Sequence, residues 1–316
     1  MTRTGSPVPR IFTLLIIARV LWADIVLVGD KLVLDATVWT SGHIWRADEA
    51  GLYRNDFAID RVGAPIGLTG RLDSVTSLRL SADVCALSPM DLYADLSWPS
   101  GFRLRIGQFA LPLGFHMMTD PAEQLLVNSP LLAAYAARAG SYDIGFMGGF
   151  GRGPIAFSGA VTNGAGAGVG DNNSRKDVCG RVTFAPVASV DGTLALRVFY
   201  GWPDASDTVW QTAAAEARIA RGPFELQAEF QNHSGSDGRN NAMYLQAAWN
   251  VGQLQPVARL DLTLPKGEYI DWMITGGLNL LSSTRRLRIL LDCSYRRNYQ
   301  DNWSVFGFLF RVQAAL

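Results

Sequence analysis

The chain has 316 residues, of which 48% are hydrophobic and only 18% charged, against about 25% charged in an ordinary soluble domain. Lys+Arg and Asp+Glu balance at 28 each, so bulk charge gives no reason to expect a nucleic-acid partner. Cys85, Cys179 and Cys293 lie too far apart for a metal-ligand spacing and allow at most one disulfide; isolated thiols in strands fit them better.

At the N-terminus, Arg3 and Arg10 precede the apolar run Ile11 to Ala18, and Ala23 offers a small residue for cleavage. The expected division is a signal peptide over 1–23 and one barrel domain over 24–316. The alternative, a hydrophobic helix that stays attached, is too short to span a bilayer, and no later stretch is a long enough apolar run.

From residue 31 onward the dominant pattern is period two. Leu194, Leu196, Val198 and Tyr200 alternate with Thr193, Ala195 and Arg197, and Phe224, Leu226, Ala228 and Phe230 alternate with Glu225, Gln227, Glu229 and Gln231. Helical spacing fits such segments poorly. Strands are predicted over 31–42, 54–70, 74–86, 89–98, 102–111, 141–150, 153–163, 176–186, 191–202, 206–220, 222–232, 240–250, 253–263, 269–281, 285–297 and 302–315.

Every second connection is tight, as around Asp73, Pro99–Gly101, Arg221 and Val251–Gly252. Most of the others are longer and polar, as in Gly42–Arg54, Asn163–Arg175 and Asn232–Asn240, although the one near Leu87–Pro89 is short. A soluble sandwich has no reason to sort its loops by length, whereas an outer-membrane barrel has short turns on one side and long loops on the other. Trp39, Trp202, Trp210, Trp272 and Trp303 fall near predicted strand ends on the long-loop side, and Trp98 and Trp249 near short turns, as aromatic girdles require. The expected fold is all-β, a transmembrane antiparallel barrel of about 16 strands.

The stretch Gly114 to Gly140 is far longer than the roughly 12–15 residues usual for a structureless loop. It is also too apolar for disorder, with Leu125, Leu126, Val127, Leu131, Leu132 and Tyr135, and Pro130 to Arg138 is Ala-rich enough for a short helix. It is the third connection on the long side. At the other end, Phe306, Phe308, Phe310, Val312, Ala314 and Leu316 share one face of a last strand, while Arg311 and Gln313 take the other. That strand resembles the C-terminal sorting strand of bacterial outer-membrane proteins, with Leu316 where the pattern usually has Phe. It can meet the first strand, near Lys31 to Thr40, and remove the last free edge.

Leu104-Arg105-Ile106-Gly107-Gln108-Phe109, then Pro112-Leu113-Gly114, Asp143-Ile144-Gly145, Asn163-Gly164, Asp171-Asn172-Asn173, Asp177, Gly180-Arg181-Val182 and Pro186 resemble the phosphate-selective porin O and P family. The resemblance is best from about Met90 to Pro186 and implies a sixteen-stranded, trimeric diffusion channel of the outer membrane. By resemblance to general porins, Phe115 to Arg138 is expected to fold into the pore; lying over the rim or against a neighbouring subunit is the alternative.

Pore-lining or constriction candidates are Arg103, Arg105, Arg138, Arg181, Arg259, Arg286, Arg288, Arg311 and Asp143. Anion pores use rings of Arg or Lys. Here inward acids, including Asp83, Asp91, Asp95, Asp177, Glu216, Glu229, Asp261, Asp271 and Asp292, nearly cancel the inward arginines. A mixed wall suits water, small hydrophilic solutes and weak ion preference. Clustering of Arg259, Arg286, Arg288 and Arg311 would instead favour anions such as phosphate.

Gly164 to Gly170 lacks the Gly-Lys-Ser/Thr ending of a phosphate loop, and Asp171-Asn172-Asn173-Ser174 lacks a known calcium spacing. His43, His116 and His233 fall in predicted loops, and no nucleophile signature accompanies them. No catalysis, cofactor or metal is expected. The expected partners are outer-membrane lipid, small solutes or inorganic anions, and two further copies in a homotrimer, without nucleic acid. The rival readings are a plugged structural or adhesive barrel and a lipid-acting barrel enzyme.

Overall fold

The computed structural model describes residues 25–26, 31–49, 52–135, 142–171, 173–185, 191–202, 209–235, 238–265, 270–284, 286–299 and 303–315. Sixteen antiparallel strands follow one another around a closed wall. They are β1 (Leu32–Glu49), β2 (Leu52–Gly63 and Pro65–Arg71, broken at Ala64), β3 (Thr76–Asp83), β4 (Ser88–Ser97), β5 (Phe102–Ala110), β6 (Tyr142–Arg152), β7 (Ile155–Thr162) and β8 (Asp177–Phe184). The second half comprises β9 (Asp191–Gly201), β10 (Trp210–Arg221), β11 (Phe224–Gly235), β12 (Gly238–Trp249), β13 (Leu254–Pro265), β14 (Asp271–Leu281), β15 (Leu287–Asn298) and β16 (Trp303–Ala315). Pro65 has no N–H to give the ladder. The break beside it is held by Asp83, whose carboxylate accepts from Ala64 N at 3.1 Å.

The wall closes where β16 pairs with β1, in register from Trp303↔Glu49 to Ala315↔Thr37. β1 runs on below that seam. There Leu32–Ala36 pair with β2 on one edge, and Ile25–Val26 pair with Leu34 and Val33 on the other. The edge that β16 does not reach is thus covered by the chain's own earlier segment.

The two faces of the sheet are chemically inverted relative to a water-soluble protein. On β11, Phe224 and Phe230 are 57% and 43% exposed, whereas Gln231 and His233 are 0% and 1% exposed. Removing a Leu or Phe side chain from water is worth about 1.5–3 kcal/mol. An outer face carrying Leu196, Phe157, Ile274, Phe306 and Phe308 in the open is therefore stable only against lipid. The ring of ladders meets the matching demand that backbone polar groups in lipid be satisfied internally.

The strand order follows the sequence pattern, with three local differences. β1 extends to Glu49, so the connection expected over Gly42–Arg54 shrinks to residues 50–51. Gly42 looks like a turn residue but marks a close approach. A Cβ there would lie 2.7 Å from the Phe310 ring, which the opposite strand lays across it. Second, β11 and β12 run on to Gly235 and Gly238, leaving only residues 236–237 between them. His43 and His233 therefore sit on strands rather than loops. Third, Trp39 and Trp210 point inward, Trp39 beneath the Arg311 guanidinium (4.9 Å) and Trp210 against His233 (4.0 Å). The rims carry other aromatic pairs, Trp98–Phe102 and Phe224–Trp249 at the short turns and Trp272–Tyr295 and Tyr200–Trp202 at the opposite end.

The three free thiols report this topology. Cys85 is exposed in the β3–β4 turn, Cys293 is exposed on the outer apolar face, and Cys179 is buried inside. Burial, with the Asp83 carboxylate, raises the Cys85 pKa. A membrane-impermeant maleimide on intact cells should label Cys85 alone, and faster as pH rises toward 9. Labelling of Cys293 by that reagent would contradict the lipid-facing register of β15. Phe308→Arg should cost about 2–4 kcal/mol if it sits near mid-bilayer, read from urea unfolding in lipid vesicles.

Candidate pore constriction

The segment after β5, here the inserted segment, packs against inward-facing side chains of the wall because its apolar residues have partners there. Phe109, Leu111 and Leu113 are buried with Ala160, Cys179, Phe199 and Trp210 on the inner side of β7 to β10. Gly114 follows at φ 113°. Its hypothetical Cβ would fall 2.2 Å from Glu229 Oε1, so backbone conformation and the carboxylate of β11 both demand glycine. One helical turn, α1 (Phe115–Met118), places the Phe115 ring 5.3 Å from the Arg181 guanidinium.

Residues 121–132 then run along β13 to β16, fastened almost entirely through their backbone. Arg259 donates to Asn128 O (3.1 Å), Asn128 Oδ1 (2.9 Å) and Ser129 O (3.1 Å). Arg288 donates to Ala122 O and to Gln124 O (2.9 Å), and Gln313 to Ala122 O (2.6 Å). Arg311 reaches Pro121 O (3.4 Å) and Val127 O (3.3 Å). The carboxylates hold the N–H groups of the same segment. Asp292 Oδ2 accepts from Val127 N (2.6 Å) and Asn128 N (3.3 Å), and Asp261 Oδ1 from Leu131 N (3.1 Å). Asn279 donates to Leu125 O at 2.9 Å. Leu126 packs with Ala248 and Val257, and Leu132 with Ala242 and Tyr244. The helix expected at 130–138 is, in its described part, a 3-10 turn over Leu131–Tyr135.

The other walls carry paired charge. On β8 to β11, Arg181 meets Glu216 (2.6 Å), and Arg197 meets Glu216 (3.2 Å), Glu229 (2.7 Å) and Gln231 (2.6 Å). On β1 to β5, Arg79 binds Asp35 and lies 3.8 Å from Asp91, while Asp95 lies 3.6 Å from both Arg103 and Arg105. Arg105 also covers the Tyr93 ring at 3.9 Å.

The sequence candidates thus separate by role. Arg259, Arg288 and Arg311 converge on the inserted segment, Arg181 stands under Phe115, and Arg103 and Arg105 share an acid on the facing wall. Arg286 is exposed in the turn before β15, where its carbonyl accepts from Ala315 N (2.8 Å), at the short-turn rim. Asp143 accepts from Gly164 N (2.6 Å) and Ile144 N (2.8 Å), so it anchors the connection after β7. Arg138 lies outside the described residues. Asn279 and Gln313 were not legible as anchors, because each donates to a backbone carbonyl of the distant segment, Leu125 O and Ala122 O, that no spacing reveals.

His116 on α1 is held at about 4 rather than 6.5, by burial first and then by the Arg259 and Arg311 charges. The unfolded chain takes up this proton near 6.5 and the folded one only near 4, so stability falls as pH drops through that window.

The family model described as Phosphate-selective porin O and P matches residues 64–208. The barrel has the fold of an outer-membrane porin. Its barrel superposes on an anion-selective porin from Comamonas acidovorans with a TM-score of 0.67 at 12% identity, covering 90% of this chain and 100% of that one. In vitro folded OmpT, an outer membrane protein of Vibrio cholerae, gives 0.67 at 8% identity, covering 92% and 99%. OmpF of Salmonella typhi, in complex with daunomycin, gives 0.59 at 12% identity, covering 90% and 99%. At these identities the likeness speaks for the fold. No curated protein matches the chain in sequence.

Charge-assisted hydrogen bonds are worth about 1.5–3 kcal/mol each. Asp292→Ala should therefore loosen the inserted segment measurably, with noisier and larger single-channel currents, while Asp292→Asn keeps an acceptor and should lose less. If His116 stays neutral above about 4, its own contribution to the conductance should appear only toward pH 4, and His116→Gln should remove that part of the change.

Proposed function

We propose that this porin is a passive, weakly selective diffusion channel for small hydrophilic solutes and ions, narrowed by residues 115–132, and not an enzyme. One observation carries the reading. Of the four arginines expected to cluster, Arg286 lies at the short-turn rim, while Arg259, Arg288 and Arg311 direct donors to loop carbonyls and to Asp261, so these three act as fasteners and do not form a free anion ring. The remaining wall arginines face Asp35, Asp91, Asp95, Glu216 and Glu229. An anion preference rests on Arg103 and Arg105, which share one buried carboxylate.

A lipid-acting enzyme would need its catalytic groups on the outer wall. The three histidines are elsewhere: His43 pairs with Asp56 (3.5 Å), His116 lies on α1 against the cavity, and His233 is buried beside Trp210. OmpT of Vibrio cholerae is described in a trimer form, and the same assembly is proposed here. Residues 1–23 are proposed as a cleaved export signal, to be read by N-terminal sequencing of the protein from outer-membrane fractions.

In planar bilayers the purified porin should give steady open currents and a reversal potential close to zero in a salt gradient. Absence of current would favour a plugged structural barrel, and a strongly anion-selective reversal would restore a phosphate channel. Arg105→Gln should move the reversal potential toward cations if Arg105 lines the narrowest part.

A further inference from the structure

Between the inserted segment and the short-turn ends of β10 to β16 lies a cavity of about 660 Å³. Its wall is unusual for an ion path. Gln227, Gln246, Asn250 and Gln255 all line it, on or beside β11 to β13 with Gln227 directly opposite Gln246, and Phe115 and Tyr244 add aromatic surface. The three glutamines are less than a tenth exposed. They are ordered by one another: Gln246 donates to Gln227 (3.2 Å), Gln255 to Asn250 (3.0 Å) and Asn279 to Gln255 (2.9 Å). Among the described residues, Gln227 Nε2 and Gln246 Oε1 take part in no other hydrogen bond, leaving one donor and one acceptor group side by side.

The arginines of this wall are already engaged. Arg218 meets Glu225 (2.8 Å) and Asp191 (3.0 Å), and Arg259 and Arg288 hold Asp261 and the loop carbonyls. An entering anion finds no guanidinium without a partner, and a cation finds Glu225 taken, with only the exposed Glu123 carboxylate at the edge of the loop free of an ion pair among the described residues. Amides offer both a donor and an acceptor, which complements hydroxyl groups, and aromatic faces accept the C–H side of a ring. We propose that this cavity is a subsite for neutral polyhydroxylated solutes of sugar type on the permeation path. The proposal rests on the channel reading above and names a solute class for it.

The test is current block by sucrose in planar bilayers, with a polyethylene glycol of equal hydrodynamic radius and inorganic phosphate as the comparison solutes. Sucrose should reduce the ion current saturably, the glycol should do so only in proportion to its concentration, and phosphate should not relieve the sucrose block. Gln246→Leu, and separately Gln227→Leu, should weaken the block by about ten-fold, the loss of one hydrogen bond. Equal, unsaturable effects of sucrose and glycol, relief by phosphate, or unchanged block in both variants would each overturn the proposal. A barrel that passes no current removes the channel reading and the subsite with it. One that passes current without saturable block removes the subsite alone.

Discussion

Backbone polarity in a medium without water is the constraint on which the rest of this molecule depends. An unpaired N–H or C=O facing hydrocarbon costs several kcal/mol, and a sheet has two edges of them. Closure of β16 onto β1 removes those edges over Thr37–Glu49, and Ile25–Val26 covers the stretch of β1 below. Once the cylinder closes, side-chain alternation has only one stable orientation. Lipid takes Phe306, Phe308 and Val312, and the interior takes Arg311 and Gln313.

The interior then faces the opposite problem, since it collects charged groups that must be satisfied. Two solutions coexist. On β8 to β11 side chains satisfy one another in the Arg181, Glu216, Arg197 and Glu229 series. On β13 to β16 a chain segment supplies the partners, its carbonyls to Arg259, Arg288 and Arg311 and its amides to Asp261 and Asp292. The inserted segment is ordered by the wall, and the wall's charges are neutralised by the segment.

Most of the barrel was legible because its signal is local. Period-two alternation identifies each strand without knowledge of its neighbours, and the sixteen strands follow one another in chain order, although two connections read as long, Gly42–Arg54 and Asn232–Asn240, shrink to two residues. Glycine misled where its meaning was tertiary, since Gly42 yields space to Phe310 across the seam and does not turn the chain. Site roles were less legible for a related reason. Arg103 and Arg288 look alike in sequence, yet one shares Asp95 with Arg105 and the other holds Gln124 O. The difference lies in backbone groups of residues more than a hundred positions away in the chain.

The register of the seam also sets an order in time. Trp303 must find Glu49 and Ala315 must find Thr37, pairings that span nearly the whole polypeptide, and such distant contacts form slowly. Until β16 has emerged and docked, both edges of a largely apolar sheet stay open to any other strand. The nascent chain therefore passes through a long interval in which those edges must be shielded.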